Sequence, residues 1–182
     1  MKRVEGIYDD GDQLLMLASI TKHNPMMGVI FLLGVVSGLR VSDILALKVK
    51  ELDRDFLAYE SKTGKYKEVR LGHHWEMLAV YLDGMNPEDR AFPTTRQTAH
   101  KYFKMAAKDL DIPSIGTHSM RKTYAYNVFR SSGCLKTTQK SLNHKYMSVT
   151  ISYLVGGFIW AVKMAHKHTV PKRVAPCYEE VV

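Results

Sequence analysis

The sequence predicts a mainly α-helical fold with one small antiparallel β-sheet, an α+β arrangement. Apolar residues recur at helical spacing along most of the 182 residues. A single stretch near residues 56–71 instead reads as two short strand-like runs on either side of a polar, Gly-containing turn. Pro87, Pro93, Pro113, Gly116 and Gly133 divide the remainder into segments of helix length. The 46% hydrophobic and 24% charged fractions are globular and exclude a largely disordered chain. The length suits one compact domain.

The elements follow in order. Leu14, Leu15, Leu17 and Ala18 fit a helix that begins near Asp10–Asp12, where acidic residues favour an N-terminus, and ends at Asn24-Pro25. The apolar run Met26 to Val36 is a second, buried helix closed by Ser37-Gly38, and Val41, Ile44, Leu45 and Leu47 have the spacing of a short third. Phe56 to Tyr59 and Tyr66 to Leu71 flank the turn Lys62-Thr63-Gly64-Lys65. Helices are then expected at Trp75 to Asp83, Thr95 to Leu110, Ser119 to Ser131, Leu135 to Leu142, Ser148 to Val155 and Phe158 to Lys167. Gly156-Gly157 reads as a flexible joint between the last two. Residues 1–168 are expected to form the domain and 169–182 a tail.

Twenty-six Lys and Arg against eighteen Asp and Glu give a net charge of +8, which points to a polyanionic partner, most often nucleic acid. Two cysteines, Cys134 and Cys177, make no disulfide framework or Cys-rich zinc module. The start, Met1 to Gly6, lacks the apolar stretch of a signal peptide, and the run Met26 to Val36 is shorter than the roughly 20 residues of a membrane span. A cytoplasmic protein with no membrane partner is the expectation.

Phosphate-binding Gly loops, G-x-S-x-G and H-E-x-x-H are all missing from the sequence. Three other patterns carry chemistry. Gly38-Leu39-Arg40-Val41-Ser42-Asp43 puts an arginine at a helix start. His118-Ser119-Met120-Arg121 puts His and Arg on one helical face. Leu142-Asn143-His144 is followed nine residues on by Tyr153. On one continuous helix that spacing would turn His144 and Tyr153 to opposite sides, so they converge only if the chain turns between them. Lys145 to Ser148 supplies the break, with Ser148 as an N-cap. Each piece alone has an ordinary reading: surface arginines pair with acids, and lone helical histidines are mostly structural. Lys101, Lys104 and Lys108 read equally as a phosphate track or a solvated face. His73-His74 and His166-x-His168 lack companion ligands at workable spacing, so no metal is assigned. Trp75 and Trp160 read as core anchors.

Taken together, Gly38-Leu39-Arg40-x-Ser42-Asp43, the hairpin Lys62-Thr63-Gly64-Lys65 leading to Val69-Arg70-Leu71, His118-x-x-Arg121, and Leu142-x-His144 with Tyr153 resemble the tyrosine recombinase (phage integrase) family. The motifs stand in the family's order from residue 38 to 153. The resemblance implies the family's catalytic-domain fold and a site-specific recombinase that cuts and rejoins DNA through a 3′-phosphotyrosine intermediate. It needs neither ATP nor metal, and no cofactor is expected. Tyr153 would be the nucleophile, and Arg40 and Arg121 would clamp the phosphate oxygens, a role that suits the guanidinium fork. Lys62 would protonate the departing 5′-oxygen, with Lys65 as runner-up. His118 would move a proton at the tyrosine, His144 would donate to a phosphate oxygen, and Asp43 would buttress the site. Lys65, Lys67, Arg70 and Lys122 are the candidate DNA contacts.

The sequence departs from the family pattern at Asn143, where Gly is usual, and at Lys122, where His is common. The family's usual N-terminal core-binding domain is not seen before the first motif. The chain reads either as an excised catalytic domain or as a single-domain recombinase like the fimbrial DNA invertases. The expected partners are a double-stranded recombination site, further copies of the chain (a tetramer when two sites pair) and accessory DNA-bending proteins. The C-terminal helix, about 158–167, is expected to exchange between protomers, and the protein to associate with the nucleoid. Two alternatives share the resemblance: a recombinase-fold DNA-binding regulator that no longer cleaves, and a type IB topoisomerase.

Overall fold

The computed structural model describes residues 4–165. Among them, helices predominate around one two-stranded sheet, in the order α1 (Asp10–His23), α2 (Pro25–Ser37), α3 (Val41–Ile44), β1 (Asp55–Glu60), β2 (Lys65–Arg70), α4 (Trp75–Leu82), α5 (Arg96–Asp109), α6 (Ser119–Ser132), α7 (Leu135–Ser141) and α8 (Met147–Ala165). The chain divides into two compact units, one through Tyr124 and one from Ala125. The sequence carries no linker signal for this boundary because it falls inside α6. The expected tail, the last residues of the expected helix 158–167, His166, His168 and Cys177 lie outside the described residues.

In the first unit Asp9 caps α1 by accepting from the Asp12 N–H, and Asn24 serves two helices. Its N–H donates to the Ile20 carbonyl to close α1, while its side chain accepts from the Met27 N–H to open α2. Pro25 sits in the first turn of α2, where its missing N–H costs nothing. Helix α2 is apolar on nearly all sides because it is the centre of the core. Phe31 meets Phe103 of α5 edge-on, with ring centroids 5.5 Å apart. Each large apolar side chain buried this way contributes about 1.5–3 kcal/mol. Gly38 ends α2 in the left-handed region at φ 66°, and a Cβ there would lie 2.2 Å from the Tyr124 ring. Both the backbone and the close approach require glycine. Helix α3 closes at Ile44, sooner than the spacing suggests, and Leu47 is buried from the segment that follows.

The hairpin pairs β1 and β2 in the register Asp55↔Arg70 through Glu60↔Lys65. Alternation then sorts the side chains. Phe56, Ala58 and Glu60 of β1 and Lys67 and Val69 of β2 are buried, while Leu57, Tyr59, Lys65, Tyr66 and Arg70 are exposed. Two charged residues thus occupy the core-facing side.

In the second unit the C-terminal half of α6 packs with α8: Phe129 against Phe158 with ring centroids 5.2 Å apart, and Tyr126 against Trp160 at 6.1 Å. Trp160, expected as a core anchor, is only half-buried and packs edge-on against Tyr126. Helix α8 is continuous from Met147 to Ala165, which overturns the expected joint at Gly156-Gly157. A Cβ at Gly157 would lie 2.2 Å from the Tyr126 ring. This glycine lets two helices approach rather than letting one bend. Ser148 lies within the first turn and does not precede it. The 19 residues of α8 have the length and mean hydropathy, 1.4, of a membrane span. Thr150, Leu154 and Gly157 are its buried positions, and Phe158 and Trp160 contact α6.

Candidate phosphoryl-transfer site

Arg40 is the residue before the first turn of α3, extended at φ −73°, ψ 146°. From there its Nη1 donates to Glu60 Oε1 at 3.0 Å and stands 3.6 Å from Asp43 Oδ2. Asp43 is in turn fixed from the hairpin, accepting from the Ser61 N–H at 3.2 Å and the Ser61 hydroxyl at 2.6 Å. Arg121, only 1% exposed, projects from the first turn of α6, and its Nη1 donates to the same Glu60 Oε1 at 2.9 Å and to the Gly38 carbonyl. The carbonyl is available because α2 ends at that left-handed glycine. Two guanidiniums from distant parts of the chain therefore share one carboxylate oxygen. A buried Arg121 beside a half-buried Arg40 is tolerable because Glu60 and Asp43 balance the pair.

Lys67 belongs to the same cluster. It is 9% exposed, and its Nζ lies over the Tyr124 ring, 4.4 Å from the centroid. Burial, and then the Arg121 guanidinium, lowers its amine to about 7, with Arg40 acting the same way and Glu60 opposing. Lys122 is also buried; its Nζ donates to the Val4 carbonyl at 2.6 Å and stands 3.6 Å from the Glu5 carboxylate. Lys67 and Lys122, two of the candidate DNA contacts, are both buried. Strand alternation turns Lys67 inward, and the N-terminal segment draws in Lys122. Lys65 is exposed, and so is Arg70, which is paired with Glu68 at 2.7 Å. Lys62 is exposed in the hairpin turn.

His118 precedes α6 and keeps an exposed edge. Partial desolvation, and then Arg121, Lys122, Arg40 and Arg96, hold its ring down to about 4, so it is neutral near pH 7 and able to accept a proton. The unfolded chain binds this proton near the ordinary 6.5. The ring's contribution to stability is therefore present above that value and lost as pH falls toward 4. An NMR titration of the His118 Cε1–H should show its midpoint near 4. A midpoint near 6.5 would mean that the cations around it are not felt.

The second unit holds the other pair. Asn143 is in the left-handed region at φ 51°, a conformation that Asn adopts more readily than most residues other than glycine. The chain bends at Lys145 and Tyr146 before α8 begins. This turn brings the His144 and Tyr153 rings together, 4.9 Å between centroids and 70° between planes. His144 Nδ1 lies 3.1 Å from the Thr150 hydroxyl, and the Gln139 amide donates to the His144 carbonyl at 3.1 Å. The expected convergence across a chain break is thus present.

Glu60 was not anticipated from the sequence. The available signal was its place in the strand alternation, two residues after Ala58 and four after Phe56, which puts a carboxylate on the buried face. Among the described residues no three His, Cys, Asp or Glu side chains cluster as metal ligands, and His73 and His74 form a ring pair.

Helices around one small antiparallel hairpin are the fold of a tyrosine recombinase catalytic domain. The comparisons agree: residues 9–155 match the model of the phage integrase family, and the chain belongs to that family. It is 32% identical over 135 residues to the probable integrase/recombinase YoeC of Bacillus subtilis, covering 69% of this chain and 75% of that protein. It is 26% identical to a probable integrase/recombinase of Acholeplasma phage L2, over 84% of this chain and 58% of the relative. Among solved structures the fold matches XerA recombinase with a TM-score of 0.72 at 18% identity, covering 94% of this chain and 66% of that one. It also matches the catalytic domain of bacteriophage HP1 integrase, with a TM-score of 0.67 at 20% identity, over 92% and 96% of the two chains. The chain spans about half, 49%, of the tyrosine recombinase XerC of Xanthomonas campestris.

Proposed function

We propose that this chain supplies the strand-cutting and rejoining chemistry of a site-specific DNA recombinase. The observation that carries the reading is the convergence of Arg40 and Arg121 on one buried oxygen. Two guanidinium forks held this way suit a non-esterified pair of phosphate oxygens and the charge that grows on them during in-line attack. In this reading the Tyr153 hydroxyl attacks the phosphorus and gives its proton to a neutral base, for which His118 is suited. A 3′-phosphotyrosine bond forms as the bond to the 5′-oxygen breaks. That oxygen takes a proton from Lys62 and leaves as a hydroxyl. His144 donates to a phosphate oxygen, and Asp43 holds Arg40 in place. Attack by a 5′-hydroxyl reverses the sequence, so the phosphoryl bond energy is kept and no ATP is consumed.

The test is capture on nicked suicide duplexes carrying candidate recombination sites, where a covalent protein–DNA band is expected. DNA binding with no covalent band would instead indicate the regulator that no longer cleaves. Adduct yield should be the same with and without EDTA, because the arginine pair meets the transition-state charge; loss on chelation and recovery with added Mg²⁺ would reject that assignment.

Duplex affinity should fall steeply with salt. With about four phosphate contacts, the loss is about 10²-fold between roughly 50 and 200 mM salt. A flat dependence would assign the +8 charge to some other partner. Solved relatives include a lambda integrase tetramer bound to a Holliday junction. By analogy, we place pairing of two DNA sites and self-association on them in the function of this chain, together with a cytoplasmic, nucleoid-associated location. The exposed apolar residues Ile151, Ile159 and Val162 of α8 are the surface offered for that association.

A further inference from the structure

Lys67 has no role in the reaction as set out above, yet it is one of the few lysines removed from solvent. Its strand register places it across from Ala58 and diagonal to Glu60, on the buried face of the hairpin. Its Nζ rests 4.4 Å from the centroid of Tyr124, one helical turn after Arg121 on α6. Among the groups that bear on it are Glu60 from β1, Arg40 from the start of α3, and Arg121 and Tyr124 from α6. Arg40 and Arg121 already draw on Glu60 and Asp43, so burial and the two guanidiniums disfavour a third cation at Lys67. A bound phosphate would reverse that balance.

We propose that Lys67 is a proton-linked positioning residue: it takes up a proton from solvent when a DNA phosphate docks on Arg40 and Arg121, adding positive charge to the site only when substrate is present. The proposal rests on the recombinase reading. It differs from the role given to Lys62, since Lys67 acts through the arginine–Glu60 cluster and touches no DNA. The free amine, near 7, is largely neutral at pH 8, and the phosphate returns it toward the ordinary lysine value of 10.5. Proton uptake on binding makes affinity fall as pH rises through this window, by as much as tenfold per pH unit. His118, near 4 in the free protein, is another group that could take up a proton, and the Lys67 variants separate its uptake from that of the lysine.

The experiment is calorimetric titration of the protein with a short duplex of arbitrary sequence, in buffers of different ionisation enthalpy, at pH 6 and pH 8. The wild type should take up close to one proton at pH 8, with less of this lysine-linked uptake at pH 6. Lys67→Met and Lys67→Arg, with no titrating amine, should bind with no such uptake at pH 8. Wild-type binding without uptake at pH 8, or equal uptake by Lys67→Met, overturns the proposal and leaves DNA binding standing; no binding at all overturns both. Lysine ¹³Cε NMR of the wild type reads the same amine without a substitution. Its midpoint should rise by more than one pH unit when the duplex is added, and an unmoved midpoint overturns the proposal.

Discussion

Tyr153→Phe is expected to abolish the covalent protein–DNA adduct while leaving duplex binding almost unchanged. In the proposed reaction the phenol supplies only the attacking oxygen. The ring packs edge-on against His144 with centroids 4.9 Å apart, and Phe keeps that contact. His144 is held independently by the Thr150 hydroxyl and, through its carbonyl, by Gln139. Loss of a covalent nucleophile costs on the order of 10⁴-fold or more, whereas a conservative change away from the binding contacts stays within about 0.5 kcal/mol. The measurement is single-turnover adduct formation on a suicide duplex, beside an equilibrium binding assay on the same duplex. The chain has ten tyrosines, and Tyr146, exposed just before α8, is the nearest competitor in sequence. An adduct formed by the Phe variant and mapped to Tyr146 would reassign the nucleophile.

How much of this was legible in the sequence depended on the range of the interactions involved. The helices around Asn24-Pro25 and the end of α2 at Gly38 follow from local backbone rules, and so does the hairpin turn. The His144–Tyr153 meeting was legible because a nine-residue spacing demands a break, and the break has its own local signals. The burial of Glu60 and Lys67 was not legible because burial of a charge is decided by what stands opposite. Glu60 tolerates its position only because Arg40 and Arg121 reach it from distant parts of the chain. Lys67 looks like any hairpin lysine until the register and Tyr124 fix its direction. The two glycines of α8 were misread for the same reason. A Gly-Gly pair suggests flexibility locally, while Tyr126 lying against Gly157 makes it a packing site. Local chemistry thus located the elements and the motifs, and long-range electrostatics set the environment of the site.

That shared carboxylate also separates the two arginines experimentally. Arg40→Ala removes a partly exposed guanidinium and leaves Glu60 paired with Arg121, so the fold should persist. Adduct formation should slow by about 10²–10³-fold, the effect of losing one transition-state donor. Arg121→Ala removes a side chain 1% exposed and takes from Glu60 its fully buried partner. It should cost about 3–5 kcal/mol of stability as well as the rate, because one member of a buried ion pair is left behind. Arg121→Lys should not restore activity. An ammonium cannot donate to the Gly38 carbonyl and Glu60 from one planar group while also presenting a fork to phosphate. Melting temperature and single-turnover cleavage, measured together, decide the matter. Cleavage by Arg40→Ala at the wild-type rate would remove it from the phosphate clamp, leaving Arg40 as a structural counter-charge to Glu60 and Asp43. An unchanged melting temperature for Arg121→Ala would mean that Glu60 does not depend on Arg121 for its charge balance.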